Sequence, residues 1–230
     1  MGHHILPGNP PIPLHLKRSA RARRISLRVS GLDGRVVLTL PNGVHEDQAL
    51  DFAQEKADWI RANIAGQPDM VSVAHGVALP VDGKIRVIAP GPGRRVVMQA
   101  DQLLVPGPET RVQARLQGFL KELARDRLAA ASDHYAAALG KPYRGITLRD
   151  TRSRWGSCSS AGALMYSWRL ILAPPDVLSY VAAHEVAHLA HMNHSRDFWQ
   201  AVEQIHGAYG PPRAWLRKNG AALHRYRFDD

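Results

Sequence analysis

The segment HEVAHLAHMNH, residues 184–194, contains four histidines and one glutamate within eleven positions. If the segment is helical, His184 and His188 are one turn apart on the same face of the helix. Two imidazoles at that spacing can each place a nitrogen about 2.0–2.1 Å from one zinc ion. Glu185 lies beside them, where its carboxylate can reach a water bound to the ion without coordinating the metal itself.

A catalytic zinc usually takes three protein ligands. His191 lies on the same face, but on a continuous helix it is about 10 Å along the axis from His184, which is too far to close a tetrahedron. His194 can coordinate only if the chain turns back after about His191. Asn193 tolerates the left-handed conformation of such a turn, and Ser195 is a good N-cap for a new helix. The predicted metal ligands are therefore His184, His188 and His194, with His191 left as a packing residue or as a residue that supports a ligand without coordinating the metal.

Two further residues are alternative ligands. Cys158 could approach the metal as a thiolate, although a lone cysteine in a strand is more often a small buried apolar residue. Glu203 is the rival third ligand if His194 points away. In a helix that starts at Ser195, however, Glu203 is about 12 Å from the first turn, so His194 is preferred.

Outward from the metal segment, the chain predicts an α+β fold. Pro174-Pro175 starts the metal helix, and the two runs before it, ITLRD and RWGSCSSAGALMYSWRLIL, are typical of strands. The second run is a hairpin that turns at Ala161-Gly162. A long amphipathic helix from about Thr110 to Leu139 precedes them and ends at Gly140.

The first part of the chain is rich in strands. RISLRV and RVVLTL form a predicted hairpin that turns at Asp33-Gly34. One helix, HEDQALDFAQEKADWIRANIA, follows, and short strands run from VALPV to QLLVP. We predict two domains, a β-rich domain with one helix and a basic arm at 1–108 and an α+β domain at 109–230 that carries the metal segment.

Composition limits the class of protein. A chain of 230 residues with 45% hydrophobic content can bury a substantial core. Cys158 is the single cysteine, so no internal disulfide can form. The opening residues lack the continuous apolar core of a secretory signal, and no apolar run approaches the roughly 18 residues of a membrane span. We therefore expect a cytoplasmic location.

The net charge of +10 raises the possibility of a polyanionic partner. Most basic residues are scattered, but the segment KRSARARR contains no acid. The alternative is a solvated basic surface. If the charge does serve a nucleic acid or another polyanion, the arm that contacts it consists of Lys17, Arg18, Arg21, Arg23 and Arg24.

The sequence resembles the YgjP-like, SprT-like family of zinc metallopeptidases. The resemblance rests on RSRWGSC at 152–158, SWRLILAPP at 167–175, VAAHEVAHLAHMNHSRDFW at 181–199 and WLRKNGAALHRY at 215–226, and it extends to RARRISLRV near the N-terminus. It implies a zincin-like metallopeptidase domain at 109–230, with His184, His188 and His194 as zinc ligands and Glu185 as the catalytic acid and base. It does not imply a substrate.

Three functions fit these residues. The first is a zinc-dependent metallopeptidase in which Glu185 assists a zinc-bound water and an extended peptide pairs with the hairpin around Ala163 to Trp168. The second is a zinc-dependent hydrolase of a non-peptide substrate such as a nucleotide phosphoanhydride, which the excess of arginines favours. The third is a nucleic-acid-associated module with a structural zinc, against which Glu185 argues.

Transition-state stabilisation in such sites commonly requires a donor from the protein in addition to the metal. The candidates by residue type are Tyr209, Arg213, Arg152 and Arg154. Tyr209 is the one that we predict to be catalytic together with Glu185.

Overall fold

The computed structural model describes residues 3–31, 33–66 and 69–228 and confirms the α+β class. A β-rich N-terminal region precedes a mostly helical C-terminal part, as expected for a zincin-like domain. The chain divides into two compact units, Met1–Asp69 and Met70–Asp230. None of the helices in the described residues combines the length and apolar character needed to cross a membrane.

The first unit contains one sheet and two helices. The strands are β1 (His3–Leu6), β2 (Ile12–Arg18), β3 (Ser26–Val29) and β4 (Val36–Leu40), in the order β1-β2-β4-β3. Strands β3 and β4 form the predicted hairpin, and β2 runs parallel to β4. Every second residue of β2 and β4 is buried, as the period of two requires for a sheet with one covered face.

Two helices follow where the sequence predicts one. They are α1 (Glu46–Glu55) and α2 (Ala57–Ala65), and they are separated at Lys56, whose backbone leaves the helical region at φ −97° and ψ 11°. Ala49, Ala53 and Ile60 pack with the buried strand residues into a core that belongs to this unit alone.

The second unit starts with short strands that pack against a long helix. The strands are β5 (Val71–Ser72), β6 (Ala78–Val81), β7 (Lys84–Pro90), β8 (Val97–Met98) and β9 (Gln102–Val105), of which the last four form a sheet in the order β6-β7-β9-β8. Helix α3 (Val112–Leu139) follows a 3₁₀ turn at Glu109–Arg111 and ends at Gly140, which has the left-handed φ of 67° expected of a C-terminal cap.

A second sheet connects α3 to the metal helix. Its strands are β10 (Gly145–Arg149), β11 (Gly156–Cys158) and β12 (Ala163–Ser167), in the order β10-β12-β11. The segment Trp168–Leu172, predicted as the end of a strand, is a buried 3₁₀ helix instead. All five of its side chains are buried, so tertiary packing overrides the β preference of this apolar run.

Four more elements complete the unit: α4 (Pro175–Ala187), α5 (Arg196–His206), α6 (Gly210–Asn219) and the short strand β13 (Tyr226–Arg227), which pairs with β5. Helix α4 is buried on most of its surface and packs against α3, α5, α6 and β11. Two hydrogen bonds between hydroxyl groups fix α3 to neighbouring elements, one between Ser132 and Tyr166 at 3.0 Å and one between Tyr135 and Ser179 at 2.6 Å.

The C-terminal segment is held by Arg169, which is 7% exposed. Its guanidinium donates two hydrogen bonds to Asp150 at 2.7 and 3.0 Å, and further bonds to the backbone oxygens of Leu223 and Tyr226. A bidentate, charge-assisted pair of this kind satisfies a buried arginine. Arg169 is therefore committed to the fold and is not available to a substrate.

The division between the two units falls at Asp69 and Met70, before the boundary predicted at residues 108 and 109. The predicted boundary lies inside the second unit, because Leu79, Val81, Ile88, Leu103 and Val105 share one hydrophobic cluster with α3. A stable domain that begins at residue 109 stays a prediction, and fragment experiments test it.

Limited proteolysis distinguishes a domain boundary at Asp69 and Met70 from one at residues 108 and 109. We expect a resistant C-terminal fragment that begins near Met70, because a fragment from residue 109 would expose the side of α3 that β6–β9 cover. Mass spectrometry of the fragments gives the cleavage sites. A stable fragment that starts between residues 106 and 110 would instead support the boundary predicted from the sequence.

Candidate metal centre

The metal helix α4 ends earlier than the sequence suggested. It stops at Ala187, and the amide groups of Ala190 and His191 both donate to the backbone oxygen of Ala187. The chain then turns, and α5 starts after Ser195, whose hydroxyl accepts a hydrogen bond from the amide of Phe198 at 3.4 Å. The predicted N-cap at Ser195 is confirmed.

This turn brings three imidazoles together. Ring nitrogens of His184, His188 and His194 all lie within 4.8 Å of one another, and the Nε2 atoms of His184 and His194 are 3.1 Å apart. Two nitrogens of a tetrahedral zinc site are about 3.4 Å apart when each bond is about 2.0–2.1 Å long. The nitrogens therefore fit a metal ion of that size with small adjustments.

The ring of His188 is oriented by the turn itself. Its Nδ1 donates a hydrogen bond to the backbone oxygen of His191 at 3.0 Å, which leaves the lone pair of Nε2 directed away from that bond. A hydrogen bond from the ring nitrogen that does not bind the metal fixes the tautomer of a ligating histidine. The structure thus gives His191 a role through its backbone, while its side chain is outside the cluster.

The aromatic ring of Phe198 packs against all three imidazoles. Its buried ring lies 4.9, 4.5 and 4.8 Å from the rings of His184, His188 and His194. Burial, together with the charges of His188 and His194, lowers the pKa of His184 to about 3. His184 is therefore neutral near pH 7, which is the form that binds a metal.

Glu185 is 5% exposed, and burial raises the pKa of its carboxyl to about 8, against a lowering effect of Arg154. The carboxylate occupies space that only glycine leaves at position 156. A Cβ built on Gly156 would lie 2.5 Å from Oε1 and 2.6 Å from Cγ of Glu185. Gly156 of the RWGSC motif therefore makes room for Glu185, a role that was missed because one sequence shows no contact between residues 29 positions apart.

Tyr209 lies on the aromatic side of the centre. Its ring stacks on Trp199 at 5.1 Å and on Tyr180 at 6.3 Å, and both of those rings contact His184. The guanidinium of Arg213 lies 4.4 Å over Trp199. Trp199 and Tyr180 were not among the predicted site residues, although their positions next to the metal segment could have indicated that they belong to the centre.

The other candidate residues lie apart from the cluster. Among the described residues, the potential metal-binding group consists of the three histidines, and neither Cys158 nor Glu203 joins it. Burial raises the pKa of the Cys158 thiol, and the charge of Glu185 raises it further, so the thiol stays protonated. Arg152 lies near His224, where its charge lowers the pKa of that histidine.

The described chain matches the model of the YgjP-like metallopeptidase domain over residues 23–219. The chain belongs to the YgjP-like metallopeptidase family. This confirms the resemblance stated above, and it implies that the chain binds a metal ion. No curated protein sequence matches the chain significantly.

Among solved structures, this YgjP-like chain is similar to the metallopeptidase zymogen abylysin of Pyrococcus abyssi. The two sequences are 20% identical, and the match covers 40% of this chain and 92% of that one with a TM-score of 0.36. A likeness at this level carries no argument about substrate or mechanism.

The YgjP-like chain should bind one metal ion, and the three clustered histidines should hold it. We expect His184→Ala, His188→Ala and His194→Ala each to lose most of the metal, because two imidazoles leave the coordination incomplete. His191→Ala is the matched control and should keep it, since His191 contributes only its backbone oxygen. Metal analysis of the purified variants measures this, and loss of metal from His191→Ala would contradict the assignment.

Gly156→Ala should destabilise the protein by about 1–3 kcal/mol, because the added methyl group collides with the buried Glu185 side chain. Gly118→Ala is the control, since a Cβ at that exposed position of α3 meets nothing within 4 Å. It should stabilise the helix by roughly 0.5–1 kcal/mol.

Denaturant unfolding measures both changes. The cost of Gly156→Ala should shrink in a Glu185→Ala background, because the colliding atoms are gone. An equal cost in both backgrounds would show that the collision is not its cause.

Proposed function

We propose that this protein is a zinc-dependent metallopeptidase that hydrolyses peptide bonds with the help of Glu185. The observation that carries the proposal is the cluster of three imidazole nitrogens within 4.8 Å of one another, together with the buried acid Glu185 that directly follows the first of these histidines. A structural zinc site has no need of such a carboxylate, whereas a hydrolase needs a base beside the attacking water.

The proposed metal is zinc, held by His184, His188 and His194. Zinc bound there would polarise the scissile carbonyl group and lower the pKa of a coordinated water toward about 7. The three imidazoles are neutral ligands, so they leave the positive charge of the ion uncompensated. Phe198 shields the ligands from water on one side.

Glu185 is the proposed acid and base. The positive charge of a bound ion would favour the ionised form of Glu185 against the effect of burial, and the carboxylate then accepts the proton of the attacking water and passes it to the leaving amine. The Glu185 side chain fills the space beside Gly156, which a larger residue at that position would occupy. Tyr209 is the proposed donor to the developing oxyanion, because it lies beside the rings that contact His184.

The sheet edge beside the metal helix suits an extended peptide, and it corrects the edge proposed from the sequence. Strand β12, Ala163–Ser167, is the central strand and is paired on both sides, whereas β11, Gly156–Cys158, is the edge strand and packs against α4. Trp155 and Ser159 use their backbone groups toward β12. By alternation, the backbone groups of Gly156 and Cys158 face the open edge, where a substrate strand can be added.

A second candidate function is the hydrolysis of a phosphate-containing substrate such as a nucleotide phosphoanhydride. It is favoured by Arg154, whose charge acts on Glu185, and by Arg213, whose charge acts on His184. Both arginines are exposed, and neither has an ion pair with an acid in the described residues. A cytoplasmic location is part of the proposal for either substrate class.

Glu185→Gln should retain zinc and lose turnover by a factor of about 10²–10⁴, because it removes the base and leaves the ligands intact. Glu203→Gln is the control, since Glu203 is an exposed acid on α5 outside the centre. Zinc content and hydrolysis of unfolded protein substrates are measured on both variants.

The same preparations are assayed in parallel with unfolded protein, peptides and nucleoside triphosphates. Peptide cleavage that disappears in Glu185→Gln supports the peptidase. Release of phosphate or pyrophosphate that depends on Glu185, without peptide cleavage, would replace the peptidase with the second candidate.

A further inference from the structure

The first unit separates its charges between the strands and the helices. Seven of the nine lysines and arginines up to Asp69 lie between residues 17 and 35, and Asp33 is the single acid among residues 3–40. Helices α1 and α2 carry five acids but only Lys56 and Arg61 as basic residues. The charges of this unit are therefore unevenly distributed: basic residues are concentrated in and between the strands, and acidic residues are concentrated on the helices.

Two basic side chains, Lys17 and Arg28, lie on the sheet face opposite the helices, and three more arginines lie in the segment between β2 and β3. Leu14 and Leu16 of β2 and Leu27 of β3 point into the core that the helices cover. Because side chains alternate along a strand, Lys17 and Arg28 lie on the outer face, and both are exposed. Arg21, Arg23 and Arg24 are exposed in the segment that connects the two strands.

These five cations differ from their neighbours in having no acidic partner in the described residues. Arg18, by contrast, donates to the backbone oxygens of Asn42 and Val44 and pairs with Glu46 at 3.6 Å. Arg35 pairs with Asp33 at 3.3 Å. Five uncompensated cations on one surface repel one another, so an anionic ligand would relieve that repulsion.

The outer face also has polar groups for an extended ligand. A groove of about 810 Å³ beside β2 and β4 is lined by His15, Lys17 and Val37 of the outer rows, by Arg35, and by Leu16, Arg18, Leu40 and Glu46 of the helix-covered side. Thr39 is paired with Lys17 on one side and with Ser26 on the other, so two hydroxyl side chains lie beside the cations. Hydroxyl groups and arginines are common donors to phosphate oxygens.

We propose that this outer face, defined by Lys17, Arg21, Arg23, Arg24 and Arg28, binds the sugar–phosphate backbone of a nucleic acid without reading its sequence. Four of the five cations are arginines, whose planar fork matches phosphate. The outer rows of β2, β4 and β3 carry few apolar side chains, whereas the core of a protein–protein interface is largely apolar. His15 has the single aromatic ring in these rows, and none of their residues is Phe, Tyr or Trp, so the contacts are mainly with the backbone and not with stacked bases.

The test measures the affinity of the full-length protein for labelled oligonucleotides of about 20 nucleotides by fluorescence anisotropy over a salt series. One arm uses a single strand and the other a duplex of mixed sequence. If all five cations neutralise phosphates of a single strand, Kd should rise roughly 130-fold between about 50 and 200 mM salt. Lys17→Gln combined with Arg28→Gln should reduce that rise to roughly 20-fold, because two contacts are lost.

Lys56→Glu is the matched control, because it changes the net charge by the same two units on the helical side of the unit. It should keep the salt dependence of the unaltered protein. The triple variant Arg21→Gln, Arg23→Gln, Arg24→Gln should weaken binding independently of the strand variant. Circular dichroism verifies that each variant is folded, as expected for exposed positions.

Comparison of the two arms identifies the source of the phosphates, since the oligonucleotide with the lower Kd at the same salt concentration is the preferred ligand. The proposal is overturned if neither oligonucleotide binds at low salt, or if Lys56→Glu weakens binding as much as the strand variant does. It is also overturned if polyglutamate of equal charge displaces the oligonucleotide as effectively as unlabelled nucleic acid, because the face would then recognise charge alone.

Discussion

The hydrogen bond from His188 to the backbone oxygen of His191 is the constraint on which the centre depends. It can form only because α4 ends at Ala187 and the chain turns from His188 onward, directly after the helix. The same turn returns His194 to within 3.1 Å of His184, measured between their Nε2 atoms. A helix that continued through this segment would separate those two residues by ten positions along its axis. The early end of the helix therefore converts a row of histidines into a cluster.

Packing around α4 keeps this arrangement in place at a considerable cost in desolvation. His184, His188 and Glu185 lie among apolar side chains, where charged forms are disfavoured, and the pKa values of His184 and Glu185 shift accordingly. Perturbed titratable groups of this kind are typical of functional sites. The surrounding core, with Phe198 below the imidazoles and α3 behind α4, supplies the stability that offsets this cost.

The two units of the chain contribute different chemistry. The second unit contains the whole metal centre and the sheet edge beside it, so its own core is sufficient to position every residue of the proposed reaction. The first unit has a separate core and contains no residue of that centre. Its cations are distributed on one face of a sheet, which is a property of a binding surface and not of a catalytic site.

The sequence by itself determined the α+β class, the long helix that ends at Gly140, the N-cap at Ser195 and the choice of His184, His188 and His194. These features depend on residues that are close along the chain, where helical periodicity and capping preferences act. The tertiary structure alone decided the contact of Gly156 with Glu185, the 3₁₀ helix at Trp168–Leu172, the place of β11 at the sheet edge and the extent of the second unit. Each of these depends on contacts between segments distant in sequence, and the local pattern of a single chain contains no information on which distant segments meet.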